Sequence, residues 1–405
     1  MNGSTDTTAT KQEQGTPGEV FAAFLKLGLT SFGGPIAHLG FFRDELVIRR
    51  KWLSDHAYAD LVALCQFLPG PASSQVGFAL GLMRAGWLGA LAAFAAFTLP
   101  SAMMLVVFAL TASAVSGPVG AGALHGLKIV AVAIVAQAVW GMARTLCPDR
   151  ERASIAAGAV ALLAFLPGTF GMLGAIVLGA GAGLILCRES AAPIGGHVSM
   201  PVSYGQAAIS LVAFAALLVL LPLVAGGSGS LAVFDSFYRA GALVFGGGHV
   251  VLPLLQAEMV DTARIPADTF LAGYGAAQAV PGPLFTFAAY LGAVQGPEPH
   301  GLAGATIALV AVFLPGFLIL TAILPFWDRF RRMSAMQSLM RGANAAVVGI
   351  LGAALYAPVF TSAIGSMRDF ALALACFVAL IAWRAPPWAV VLLAAAGGIA
   401  LAPAG

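Results

Sequence analysis

The chain reads CQFLPGPASSQ at Cys65–Gln75 and AQAVPGPLFTF at Ala277–Phe287, and in both Pro-Gly-Pro interrupts an apolar run of otherwise helical character. Proline lacks the amide donor and clashes with the preceding turn, while glycine lets the backbone leave the helical region. Pro69, Gly70, Pro71 and Pro281, Gly282, Pro283 therefore predict helices broken in mid-course. Beyond each break a helix restarts with proline at its first position and directs its next amides, from Ala72, Ser73 and Ser74 or from Leu284, Phe285 and Thr286, out of its end. Such amides, with the partial positive charge of a helix N-terminus, make a cradle for an anion. Ser74 and Thr286 hold the same place and each adds a hydroxyl donor, and Gln66 and Gln278 stand three residues before the first proline. The alternative is a plain kink whose polar neighbours tie off loose amides.

A second pair of breaks, Gly33-Gly34-Pro35 and Gly246-Gly247-Gly248, offers further exposed amides, a hinge, or close helix packing. Lys26 and Arg239 precede these breaks at matching positions. An ionisable group inside a membrane segment is a functional candidate by default, against which stands snorkelling of the side chain to the interface. His38 and His249, beside the glycines, are weaker candidates, as are Lys128 and Arg84. Arg43, Arg49, Arg50 and Lys51 read as interfacial anchors, and Asp60 as an ion-pair partner or a carrier of a coupling proton.

The elements that hold these residues must lie in a bilayer. The chain is 60% hydrophobic and 9% charged, where a soluble domain carries about 25% charged residues. Charge-free runs long enough to cross hydrocarbon occur throughout, and the small positive excess reads as an orientation signal, not as affinity for nucleic acid. Residues 1–18 are polar and predict a disordered cytoplasmic tail. Cys65, Cys147, Cys187 and Cys376 follow no disulfide or metal spacing. No nucleotide loop, metalloprotease motif or nucleophile elbow is present, so no enzyme, cofactor or metal is expected.

The chain repeats itself. FLKLGLTSFGGP (Phe24–Pro35) aligns with FYRAGALVFGGG (Phe237–Gly248), TLPSAMML (Thr98–Leu105) with FLPGFLIL (Phe313–Leu320), and GLKIVAVAIVAQAV (Gly126–Val139) with GANAAVVGILGAAL (Gly342–Leu355). The halves run over 19–195 and 230–405, and an unmatched apolar crossing within 196–229 joins them. One extra crossing turns the second copy upside down, giving an all-α inverted repeat with substrate sites between the copies. The two broken segments of each half would cross as interrupted helices or re-enter as hairpins. Hairpins bring Arg43, Arg49, Arg50 and Lys51 to the same side as the other basic loops, which the positive-inside rule favours.

The stretches FLKLGLTSFGGPIAHLGFFR, YADLVALCQFLPGPASSQVG, GALVFGGGHVVLPLL and FLAGYGAAQAVPGPLFTFAAYLGA resemble those of the chromate ion transporter family in its long, two-domain form. The resemblance spans both halves. It implies a bacterial inner-membrane protein that exports chromate and confers resistance, with Gly33, Gly34, Pro35, His38, Gln66, Pro69, Gly70, Pro71, Gly246, Gly247, His249, Gln278, Pro281, Gly282 and Pro283 as the residues of interest. Expected partners are the oxyanion and the lipid bilayer, and a homodimer is compatible with the repeat. Sulfate or molybdate as the ion, or a passive anion channel, are the alternatives.

Overall fold

A computed structural model describes residues 15–112, 117–187, 201–227, 229–245, 248–330 and 333–401. Among the described residues every regular element is helical. The first half comprises α1 (Pro17–Thr30), α2 (Gly34–Phe42) continued by a π-helical stretch (Arg43–Arg49), α3 (Asp55–Phe67), α4 (Ala72–Thr111), α5 (Pro118–Leu146), α6 (Arg150–Phe165) and α7 (Thr169–Leu186), and α8 (Tyr204–Val224) joins it to the second. The second comprises α9 (Gly229–Ala242), α10 (Val251–Met259), α11 (Ala267–Ala277), α12 (Phe287–Val294), α13 (Gly301–Ile323), α14 (Trp327–Phe330), α15 (Ser334–Ala354), α16 (Thr361–Ala363), α17 (Met367–Ile381) and α18 (Pro387–Leu401). Among the described residues six helices are long and apolar enough to cross a bilayer: those at Ala72–Thr111, Pro118–Leu146, Thr169–Leu186, Tyr204–Val224, Gly301–Phe326 and Ser334–Ala363. The chain is a multi-pass membrane protein.

Helix α1 begins inside the stretch expected to be tail. Thr16 accepts from the Glu19 amide, Pro17 occupies the first turn, and the Gly15 amide donates to Arg84 O at 2.9 Å. A threonine cap before proline is a helix start, and it overrides the polar composition around it. Residues 1–14 lie outside the described part.

The broken segments fold back on themselves. Nineteen residues of continuous helix would separate their ends by about 28 Å, yet Lys26 Nζ lies 2.6 Å from Glu45 Oε2, and Arg239 Nη2 lies 3.1 Å from Glu258 Oε2. Trp52 Nε1 donates to Glu19 Oε1 at 3.1 Å, and Phe24 meets Phe42 edge to face at 5.4 Å. The Pro-Gly-Pro segments close likewise. Arg84, at the end of the first arm of α4, packs on the Trp52 ring at 5.5 Å, and Gly296 donates to Arg264 O at 3.1 Å across the base of α11 and α12. All four are hairpins, as the basic loops suggested for the first half. Helix α4 bends sharply at Ala85 and Gly86, where Gly86 has φ 62°, so that its second arm returns along the first.

The halves are antiparallel. The second arm of α4 runs with α12, Phe108 stacking on Tyr290 at 5.7 Å and Ser101 lying beside Gly282. Helix α12 runs against α13, with Phe285 beside Phe313 at 5.6 Å and Gly292 against Gly304. The second arm of α4 and its repeat counterpart α13 therefore point in opposite directions, which is the inverted repeat. The halves also exchange partners: α6 and α7 pack on α15, and α17 and α18 pack on α5. Small residues make these seams, Gly179 and Gly183 meeting Gly342, and Gly122 and Gly126 meeting the Ala394–Ile399 stretch. Backbones approach closely there, the contact that drives association where lipid is as apolar as leucine.

Candidate functional site

The four breaks converge, each docking on the other half. The Gly70 amide donates to Val244 O at 2.7 Å, and the Gly282 amide donates to Ser31 O at 2.9 Å. Val244 and Ser31 hold the same position in the repeat, so one hydrogen bond is made twice across a pseudo-twofold. Gly70 (φ 118°) and Gly282 (φ 97°) are left-handed, a conformation that suits glycine. A Cβ on Gly70 would stand 2.9 Å from Gly316 Cα, and one on Gly282 would stand 2.9 Å from Ser101 Oγ. Gly316 and Ser101 also match in the repeat. The glycine-rich breaks face each other too, a Cβ on Gly248 reaching Pro35 at 2.9 Å and one on Gly34 reaching His249 Nε2 at 4.0 Å. Gly246 and Gly247 lie outside the described residues, and Gly33 is exposed at the start of α2.

Around this meeting point several buried polar groups lack hydrogen-bond partners among the described residues, hydroxyls foremost and the Gln75 Oε1 acceptor with them. Ser31, Ser73, Ser74, Thr98 and Thr286 are all buried. Ser31 Oγ, Ser74 Oγ, Thr98 Oγ1 and Gln278 Nε2 have no hydrogen-bond partner among the described residues. Unsatisfied buried hydroxyls are uncommon and ask for an explanation. His38 is fully buried, with Nδ1 3.4 Å from Ser73 Oγ and its ring edge-on to Phe97 at 5.3 Å. His249 Nδ1 lies 2.7 Å from the Tyr274 hydroxyl. No side chain caps α2, α4, or the single 3₁₀ turn Leu284–Thr286 that precedes α12. The leading amides of α2 and α4, and those of Leu284 and Phe285, thus have no side-chain cap.

The two Pro-Gly-Pro breaks are less alike than their sequences. Pro71 is the residue before α4, not its first, and beyond Pro283 the chain makes that 3₁₀ turn before α12 starts. The Thr286 hydroxyl donates to Pro283 O at 2.8 Å, and its amide also bonds Pro283 O, at 3.0 Å, whereas the Ser74 hydroxyl is unpartnered. Gln66 is exposed, although its counterpart Gln278 is half-buried. Gln75 was not singled out by sequence, yet its amide donates to Pro69 O and to Gly316 O, each at 2.9 Å, and so fastens one half to the other. The second half has Phe287 in that place.

Lys26 and Arg239 are held in ion clusters. Glu45, nearly buried, takes Lys26 at 2.6 Å, Arg50 at 2.9 Å and Arg49 at 3.2 Å. Arg239 Nη2 takes Asp235 at 2.9 Å and Glu258 at 3.1 Å. The matching glutamates were legible as a signal, because both lie 19 residues after the matching cation.

The sequence model of the family described as Chromate transporter matches residues 18–185 and again residues 231–399. The chain belongs to the chromate transporter family. It is 30% identical over 350 residues to the Chromate transport protein of Pseudomonas aeruginosa, covering 83% of this chain and 79% of that protein. It is 27% identical over 409 residues to the Probable chromate transport protein of Synechococcus elongatus, covering 93% of each, and 26% identical over 338 residues to the Uncharacterized transporter MJ0718 of Methanocaldococcus jannaschii, covering 82% of each. No solved structure matches the chain. In this chromate-transporter-family chain the repeated match falls on the two antiparallel halves, so the reciprocal breaks are where the family's two copies meet.

Proposed function

We propose that the chain is a secondary transporter that moves chromate outward across the bacterial inner membrane, giving resistance, by alternating access about the two facing Pro-Gly-Pro breaks. The observation that carries this reading is the reciprocal glycine-to-carbonyl docking, set among buried hydroxyls that lack partners. Chromate at neutral pH is a tetrahedral dianion with no proton to donate, and a site of hydroxyls, amides and an imidazole N–H, with no carboxylate among Ser31, His38, Ser73, Ser74, Thr98, Gln278 and Thr286, answers that chemistry. Moving two negative charges outward across a cytoplasm-negative membrane releases about 4.6 kcal/mol per 100 mV, so export runs on potential alone. The missing catalytic motifs support transport over an enzyme.

Everted vesicles energised to carry anions out of the cytoplasm should accumulate labelled chromate. Pro71→Ala and Pro283→Ala should each reduce uptake at least tenfold with the protein still folded by size-exclusion chromatography; full uptake by both would sink the mechanism. Competition by sulfate and molybdate reads selectivity among tetrahedral anions, and counterflow separates a carrier from a channel.

A further inference from the structure

Away from the breaks, a cleft of about 490 Å³ opens between the end of α4, the start of α5, and helices α11 and α12. Lys128, His125, Asp268 and Tyr290 line it together with small residues, among them Ala109, Ala112 and Ala272. Helix α12 leads from Pro283 to this cleft, seven residues or about 10 Å away. The repeat supplies a control. At the repeat-related position, where the end of α13 meets the first arm of α4, the counterparts of Ala112, Ala109 and Tyr290 are Trp327, Leu324 and Phe78. Trp327 and Leu324 are buried, Trp327 packing on Phe67 at 5.8 Å, and Phe78 stacks on Phe317 at 4.4 Å. Where the cleft is lined by Ala109 and Ala112, the described residues of the repeat-related position are the bulkier, buried Leu324 and Trp327.

The cleft holds a cation with a replaceable partner. Lys128 Nζ lies 3.1 Å from Asp268 Oδ1; the lysine side chain is 17% exposed, the aspartate 66%. Asp369, the partner of His125 at 2.8 Å, is by contrast tied down, since it also accepts from the Gly365 amide and the Ser366 hydroxyl. The counterpart of Lys128 at the repeat-related position is Asn344. A recessed ammonium whose counter-ion stands in solvent exchanges that counter-ion for a better one at small cost, and a dianion is better.

We propose that this cleft is a second oxyanion site, a vestibule on the side of the second half, in which Lys128 gives up Asp268 to hold a doubly negative tetrahedral anion on its way to or from the breaks. The inference rests on the reading that the chain carries such an anion. Its signature is a pair of opposite effects. In chromate counterflow with the full chain in phosphatidylcholine liposomes, Lys128→Gln should raise KM about tenfold with the maximal rate little changed, while Asp268→Asn should lower KM. Asp268 is exposed, so its variant tests the idea even where Lys128→Gln does not fold. A KM that Asp268→Asn leaves unchanged or raises overturns the site, as does recovery of the Lys128→Gln loss by exchanging the two charges, which marks a structural ion pair. An effect of Lys128→Gln seen only in liposomes with added phosphatidylglycerol assigns the lysine to a lipid headgroup and also overturns it. No counterflow by the wild-type chain would remove the transport reading itself, and this inference with it, whereas counterflow with unaltered KM in Asp268→Asn removes this inference alone.

Discussion

The hairpins that open the two repeats agree in geometry and disagree in charge. Each sends a cation from its first arm to a glutamate 19 residues on. Around Glu45 three cations meet one carboxylate; around Arg239 two carboxylates meet one cation. A duplicated fold thus keeps the pair that closes the hairpin and varies what surrounds it. Because the copies are antiparallel, the two clusters lie on opposite sides of the breaks, the first with an excess of cations and the second, where Arg264 also acts on Asp235 and Glu258, close to balance. With the basic cluster on the cytoplasmic side, as the positive-inside rule places it, this asymmetry supports the proposed outward direction, since it draws anions in from the cytoplasm.

The largest expected effect tests what the halves share. Gly70→Val and Gly282→Val each force a branched side chain into a left-handed backbone and against a neighbour 2.9 Å away. Strain and overpacking together should cost about 3 kcal/mol and abolish transport. The docking is reciprocal, so both should lose stability in thermal unfolding followed in detergent, Gly70→Val more, because its obstacle is the Gly316 backbone while the Ser101 hydroxyl facing Gly282 can rotate away. A large loss at only one of them would break the symmetry on which the site rests.

Next comes the charge difference. Glu45→Gln strips the one carboxylate from Lys26, Arg49 and Arg50. Removing one partner from a buried pair costs about 3–5 kcal/mol, but these cations are partly exposed and water screens them, so about 2 kcal/mol is expected. Asp235→Asn leaves Arg239 paired with Glu258, so its melting temperature should stay close to wild type. Equal destabilisation by the two variants would show that the clusters are electrostatically alike and would remove the argument for direction.

Sequence made much of this legible, for physical reasons. Proline and glycine act locally, so the breaks at Pro69–Pro71 and Pro281–Pro283 could be placed, and the loop charges at Arg43, Arg49, Arg50 and Lys51 favoured hairpins. The unmatched crossing α8 implied inversion. What could not be read depended on contacts between distant residues. Nothing near Gly70 announces that its amide is spent on Val244, or that Gln75 reaches Gly316. Lys26 and Arg239 read as free attractors because their glutamates lie beyond a break that seemed to carry the chain away. The start of α1 was missed although its signal, Thr16 before Pro17, is local; polar composition outweighed it.

The smallest expected effect lies at the rim of the first half. Arg43 pairs with Asp55 there, at 2.6 Å between exposed side chains, while the equivalent positions of the second half are Gln256 and Ala267. The hydrogen bond from Arg43 holds the Asp55 carboxyl below the usual carboxylate range. A depressed folded-state pKa contributes stability that is present above the ordinary aspartate pKa of about 4 and is lost as pH falls through the lower folded value. Asp55→Asn should therefore leave the protein unchanged at neutral pH within the small worth of an exposed pair, and should only slightly flatten the loss of stability below about pH 4. A marked loss at pH 7 in detergent melting would mean that this pair, absent from the other half, fastens the hairpins on the basic side, and the contrast between the two rims would then be structural as well as electrostatic.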